Sequence, residues 1–493
     1  MSDYKYSAHL LKELIIRIPL VLKTLLLHGI QMSPGAGKQD LRTEITTAMI
    51  RSFMTFSAPV DKTQKNSMRD PGVKGPMWVS KVTLSRPEFD VRDAVVRAIE
   101  DLKTTGNETF ALPPVADVEA EWTGFRSGVG KRTPQPDLSE EEKYQELRKE
   151  STSDMTILYF HGGAYFLMDP CTHRVPVAHL SRLTGAPILS VRYRLAPQNP
   201  FPAALVDALT AYLSLIHPPP GSLHKPVPAN KIIIAGDSAG GNLSLVLLQT
   251  LLTLKRASRP VRFHGQDVDI ELPGGVALIS PWCDLTHSMP SIVNNLKFDY
   301  LDMKGTPSED PEEPTAISSA PFPPGSVWPV DPPRLNMFTD ANMMLHPLVS
   351  PMAAKPELWE GAPPVLISTG EELLTDESFV VARRMHRAGV NVVVDQFEGM
   401  PHCHAMIMMS TATGKQFFKN VAGFCLDAAA GRVKSTGQVN WYGQGLKTSR
   451  EIPLAEVVDL DEDRVDARMS KSASWLVRDE EALRKEWRAQ AKL

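Results

Sequence analysis

The 493-residue chain has only four cysteines, Cys171, Cys283, Cys403 and Cys425, and no CxxC pair. That is too few and too scattered for a disulfide framework, so the thiols are expected to be buried and reduced in an intracellular protein. His402-Cys403-His404 has nothing near it in sequence to complete a ligand set, so no metal and no cofactor are expected. Charge of one sign is also missing. With 53 basic and 57 acidic residues the net charge is −4, which offers no basic face for nucleic acid. No apolar run is long enough to span a bilayer: residues 10–30 are rich in Leu and Ile, but Lys12, Glu13, Arg17, Pro19 and Lys23 interrupt them. A small-residue cleavage site for a secretory signal is lacking, and no internal repeat is found. At 42% apolar and 22% charged residues the composition excludes a fibrous or wholly disordered protein.

What is present falls into distinct textures. Apolar residues at 11, 14, 15, 18, 22, 25 and 26 follow helical spacing and predict an amphipathic helix kinked near Pro19. Such a helix either packs on the protein's own core or lies as a peripheral contact on a lipid surface. Residues 58–75 read as a loop. From residue 155 short Val- and Ile-rich runs at 155–160, 187–193, 231–236, 275–280, 364–369 and 392–397 alternate with helical stretches at 202–216, 239–254 and 376–388. That alternation predicts an α/β protein with a mostly parallel sheet and helices on both faces. Residues 304–334, rich in proline and acidic side chains, read as an extended insertion between two strands. Strand signals stop after 428, leaving a polar tail, 429–493, with an amphipathic helix over 475–489.

Chemistry concentrates at Gly236-Asp237-Ser238-Ala239-Gly240, which follows an apolar strand and precedes a Leu-rich helix. GxSxG in that context predicts a strained turn that exposes a nucleophilic serine. Ser238 needs a base, expected after the last core strand, where residues 397–404 offer His402 with His404 as rival. An acid is expected before it, in Thr369-Gly-Glu-Glu-Leu-Leu-Thr-Asp-Glu, and spacing leaves the choice among its carboxylates open. A strand ending in His161-Gly162-Gly163-Ala164-Tyr165 offers bare backbone N–H groups for an oxyanion, with the Ala239 N–H as a further donor.

Several motifs in order carry a family resemblance: HGGAY at 161–165, YRLAPQNPFPAALVD at 193–207, GDSAGGNL at 236–243, SPWCDLT at 280–286, PPVLISTGEELLTDE at 363–377 and EGMPHCH at 398–404. Residues of about 155–425 resemble the hormone-sensitive-lipase-like esterases of the α/β-hydrolase fold, and the long termini resemble those of larger fungal-type members such as steryl acetyl hydrolases. The resemblance implies a Ser238–His402–Glu372 triad, oxyanion donors Gly162, Gly163 and Ala239, supporting roles for His161 and Asp237, and a structural Asp207. It implies a cap or lid, with the first sheet strands, in 1–150 and a catalytic core in 151–428. This chain departs from the pattern at Ala164, where a fourth motif glycine is common, at Glu372 in place of Asp, and at Cys403 in place of Gly.

The expected activity is hydrolysis of carboxylic esters, short-chain or acetyl esters of a hydrophobic alcohol, through an acyl-enzyme. An amidase or arylformamidase would use the same triad, and a non-catalytic receptor the same fold. The partner expected is a small hydrophobic ester, with peripheral membrane contact through the N-terminal helix. Location is expected to be cytosolic, peripheral on a membrane, or peroxisomal through Ala491-Lys492-Leu493.

Overall fold

In the computed structural model, which describes residues 13–54, 58–303, 305–306, 313–317 and 322–490, ten strands form the main sheet. They are β1 (Met77–Leu84), β2 (Val118–Phe125), β3 (Thr156–Phe160), β4 (Ile188–Arg192), β5 (Ile232–Asp237), β6 (Gly275–Ile279), β7 (Val365–Gly370), β8 (Val392–Phe397), β9 (Gln438–Tyr442) and β10 (Ser449–Pro453). Their spatial order is β1-β2-β4-β3-β5-β6-β7-β8-β9-β10. Every pairing from β4 to β9 is parallel; β1–β2, β2–β4 and β9–β10 are antiparallel. The six apolar runs of the core are β3 to β8.

The helices that matter to the site are α1 (Ile18–Gly29), α2 (Leu41–Phe53), α3 (Pro170–Thr184), α4 (Ala203–Ile216), α5 (Ala239–Arg256), α6 (Thr375–Arg387), α7 (Ala412–Ala429) and α8 (Glu462–Gln490). On one face, α4, α5 and α6 bury Leu158, Ile234, Val276, Leu278 and Ile367. On the other, α3 and α7 bury Ile157, Tyr159, Ile233, Ala277 and Leu366. Successive side chains of a strand point to opposite faces, so a strand covered on both must be apolar throughout. This is why β3, β5 and β6, buried along their whole length, show as apolar runs, whereas β8, part-exposed at Val393 and Gln396, carries Asp395 and Gln396.

Three expectations change. The segment after 428 is not a strand-free tail. Gln438 and Asn440 alternate with the fully buried Val439 in β9, a pattern without a continuous apolar run, and β9 and β10 extend the sheet edge. The last helix begins at Glu462, not near 475, because buried Arg384 of α6 binds Glu462 at 2.7 Å and Asp466 at 2.9 Å. Within the loop expected at 58–75, Val60–Ser67 is helical, and Gln64 docks on the Ala196 carbonyl at 2.7 Å.

Near the N-terminus the chain turns at Arg17 and restarts as α1 with Pro19 in the first turn, where a missing N–H costs nothing. Core packing does not absorb its apolar face: Leu14, Ile15, Ile16, Ile18, Leu22, Leu25, Leu26, Ile30 and Met32 are exposed, and Thr24 alone in α1 is buried. Residues 10–12 of this predicted helix, and Ala491-Lys492-Leu493, lie outside the described residues. Among the described residues no helix is long and apolar enough to cross a membrane. All four cysteines are buried and free.

Candidate active site

β5 enters α5 through Ser238, whose backbone sits at φ 53°, ψ −117°. A non-glycine residue there is strained, and the fold around it holds the strain. The Ser238 N–H donates to the Ile279 carbonyl at 2.9 Å, and its own carbonyl accepts from Trp282 at 3.1 Å and from Asn242 at 3.0 Å. A side chain at Gly240 would run into the Phe160 carbonyl, so the elbow closes only on glycine. The Ser238 side chain is half-exposed, and its hydroxyl makes no hydrogen bond among the described residues.

Two and three strands further along the same carboxyl edge, the loops after β7 and β8 bring Glu372 and His402 together. His402 Nδ1 lies 3.0 Å from Glu372 Oε2, and both side chains are buried. The other Glu372 oxygen accepts from the Thr369 hydroxyl at 2.5 Å. The neighbouring carboxylates are engaged elsewhere: Glu371 with Lys38 and the Gly399 amide, Asp376 with the Ser291 amide, Glu377 with the amides of Cys283 and Asp284. Only Glu372 of that run is bonded to the imidazole. His404 packs between the rings of Phe397 and Phe417, and burial pushes it down to about 4.

Burial alone would lower His402 and lift Glu372. Instead the imidazole is raised well above its ordinary value by Cys403 and Glu372, and the His402 charge holds Glu372 below the usual carboxylate range. Burial pushes the Cys403 thiol up to about 11, so at neutral pH it is un-ionised and Glu372 is the charge that faces the imidazole. Cys403 itself occupies φ 48°, ψ 32°, the left-handed conformation in which the resembling family has glycine, and its N–H donates to Ser280 Oγ at 3.1 Å.

Sequence reasoning missed Asp299. Its carboxylate accepts the main-chain N–H of His402 at 3.2 Å on one oxygen and that of Leu373 at 3.0 Å on the other, tying the loops of Glu372 and His402 together. Tyr300 sets its ring edge against His402 at 6.0 Å. The N-terminal helices hold this segment in turn: Arg51 of α2 donates to the Asp299 carbonyl at 3.0 Å, and Gln39 bridges the carbonyls of Phe298 and Gly399 at 2.8 and 2.7 Å. A buried Asp ahead of a Tyr carries no sequence signature, because only the fold brings it under the triad loops.

The oxyanion loop differs from expectation at one position. The Gly162 N–H is committed to Asp237 Oδ1 at 3.1 Å and is not free to bind a substrate oxygen. The amides of Gly163, Ala164 and Ala239 make no hydrogen bond within the described protein. Gly163 at φ 108° and Ala164 at φ 51° turn the loop, and Ala239 is the first residue of α5, where an N–H has no helical acceptor. Asp237 also accepts from the Tyr159 hydroxyl at 2.7 Å and faces His173 Nε2 at 3.3 Å. His161 stacks on Tyr193 at 4.4 Å, its pKa pushed down to about 4 by burial and by His173. Asp207 binds the Arg194 side chain at 2.7 Å and its amide at 2.8 Å, beneath the loop.

A strained serine elbow, a buried Glu–His pair and a glycine loop share one sheet edge. The family model described as alpha/beta hydrolase fold matches residues 157–406. The chain belongs to the alpha/beta hydrolase fold family. This alpha/beta hydrolase is 30% identical over 281 residues to an acetyl-hydrolase of Streptomyces hygroscopicus, covering 56% of this chain and 76% of that protein. It is 25% identical over 316 residues to neutral cholesterol ester hydrolase 1 of Rattus norvegicus, covering 58% and 73%. The crystal structure of an esterase from the bacterial hormone-sensitive lipase family superposes with a TM-score of 0.50 at 22% identity, over 79% of this chain and 99% of that one, and speaks to the fold alone. The alpha/beta hydrolase is a carboxylester hydrolase.

Proposed function

We propose that the protein cleaves short-chain or acetyl esters of a hydrophobic alcohol through an acyl-enzyme, with Ser238 as nucleophile, His402 as base and Glu372 as the acid that orients it. His402 Nε2 removes the Ser238 proton as Oγ attacks the ester carbonyl. The developing oxyanion is held by the amides of Gly163, Ala164 and Ala239, of which one such donor is typically worth about 2.7–4 kcal/mol. His402 then protonates the departing alcohol, and water repeats the sequence on the acyl-serine. The observation that carries the reading is the buried 3.0 Å contact between His402 Nδ1 and Glu372 Oε2, which fixes the ring and keeps Nε2 as its remaining base. Hydrogen bonds of a catalytic base often tighten only with substrate, so an unbonded Ser238 hydroxyl is compatible with it. The hydrophobic alcohol draws support from the relatives, named for acetyl groups and for cholesterol esters. Purified protein should hydrolyse p-nitrophenyl acetate, and Ser238→Ala should abolish turnover with unchanged circular dichroism. Persistent turnover in the variant would refute the assignment.

A further inference from the structure

Against the glycine loop at Ala164 lies a cleft whose outer wall the family match does not reach. Its volume is about 720 Å³, within the range of roughly 300–1,000 Å³ that takes a drug-sized apolar ligand. The inner end is built by Ala164 and Phe166 of the oxyanion loop and by Trp282, the residue whose amide binds the Ser238 carbonyl. One side is Trp328 and Phe338 from the segment before β7; Phe338 is held flat against Tyr165, centroids 3.8 Å apart. The far side is α8, which presents Leu476, Leu483 and Trp487.

Those three residues share one helical face with Glu480, at spacings of four, three and four. Glu480 accepts from the amides of Leu335 and Ala341 at 3.0 and 3.1 Å, and Arg484 donates to the Asp340 carboxylate and the Pro333 carbonyl. These contacts clamp α8 across the mouth of the cleft while its apolar side chains face inward. Trp487 and Leu483 are half-buried and line the cleft.

Building on the ester-hydrolase reading, we propose that α8 and the segment from 322 to 338 form the pocket for a large, neutral, apolar group of the ester, and that Trp487 and Leu483 set the preference for it. The cap over this part of the site is then C-terminal. The shared chemistry is a bulky hydrocarbon; in the short-chain ester proposed above it is the alcohol, and a large acyl group is the alternative that the test separates.

The test uses the full chain with Trp487→Arg and Leu483→Ala, and Lys485→Ala from the opposite face of α8 as control. Turnover of p-nitrophenyl laurate (large acyl) and of 2-naphthyl acetate (large alcohol) is compared with that of p-nitrophenyl acetate. The proposal expects the kcat/KM ratio of one large ester over the small one to fall by about tenfold or more in both cleft variants, mainly through KM. Which ester responds identifies the side that enters the cleft. Binding of the neutral dye N-phenyl-1-naphthylamine, followed by fluorescence, reports on the cleft without catalysis and should weaken similarly in Trp487→Arg. Unchanged ratios and unchanged dye binding in folded variants would overturn the pocket. Dye binding that weakens in a protein without any ester turnover would instead refute the ester reading and leave the apolar pocket standing.

Discussion

The Asp299 carboxylate accepts the main-chain N–H of His402 at 3.2 Å and, through its other oxygen, that of Leu373 at 3.0 Å, beside Glu372. Asp299→Asn turns one acceptor into a donor that faces an N–H. The expected cost is about 1–3 kcal/mol of stability from an unsatisfied buried group. A misplaced base should lower kcat by about 10². Because Asp299 positions rather than binds, KM should stay put while kcat falls; steady-state kinetics separates the two.

Glu372→Gln removes the charge that raises His402 and leaves the burial that lowers it. A base works in its neutral form, so wild-type kcat/KM should rise with pH through a value above the ordinary imidazole pKa of about 6.5. In the variant that limb should move to lower pH, with a plateau lower by about 10⁴. The sign for stability runs the same way. A histidine whose folded pKa exceeds its unfolded one stabilises the fold fully below about pH 6.5 and loses that contribution as pH rises through the folded value. Denaturant titrations of both proteins across this range should show the slope only in the wild type.

Asp237→Ala strands the Tyr159 hydroxyl and the Gly162 N–H, both buried donors, and removes the carboxylate facing His173. Two orphaned donors should cost about 2–6 kcal/mol in chemical denaturation. The oxyanion loop loses its tether to the elbow, so kcat should fall by about 10²-fold or more, comparable to losing one donor.

Cys403→Gly should keep turnover and its pH profile. Glycine relieves the left-handed strain at φ 48°, about 1–2 kcal/mol, and that gain opposes the loss of a buried thiol. Abolished activity with an intact fold would mean that the thiol takes part in chemistry.

Much of this arrangement was legible before the structure. Val- and Ile-rich runs marked β3 to β8, most of which are covered on both faces, and the strand–turn–helix setting of Gly236–Gly240 marked the elbow. Edge strands were harder to see: β9 alternates polar and apolar residues and leaves no run. The acidic stretch near 462 read as part of a polar tail because its partner, buried Arg384, is 78 residues away in sequence. Within the site, motif order was enough to nominate Ser238 and His402. It could not tell which glycine N–H was already used, since the Gly162–Asp237 bond joins residues 75 apart. Asp299 was invisible for the same reason: its role consists of two long-range amide contacts.

The most direct measurement is labelling with a fluorophosphonate followed by peptide mapping. The account predicts one adduct, on Ser238, formed rapidly in the wild type and very slowly in His402→Ala and Glu372→Gln. An adduct on another residue, or full ester turnover in a protein whose Ser238 stays unlabelled, would contradict it.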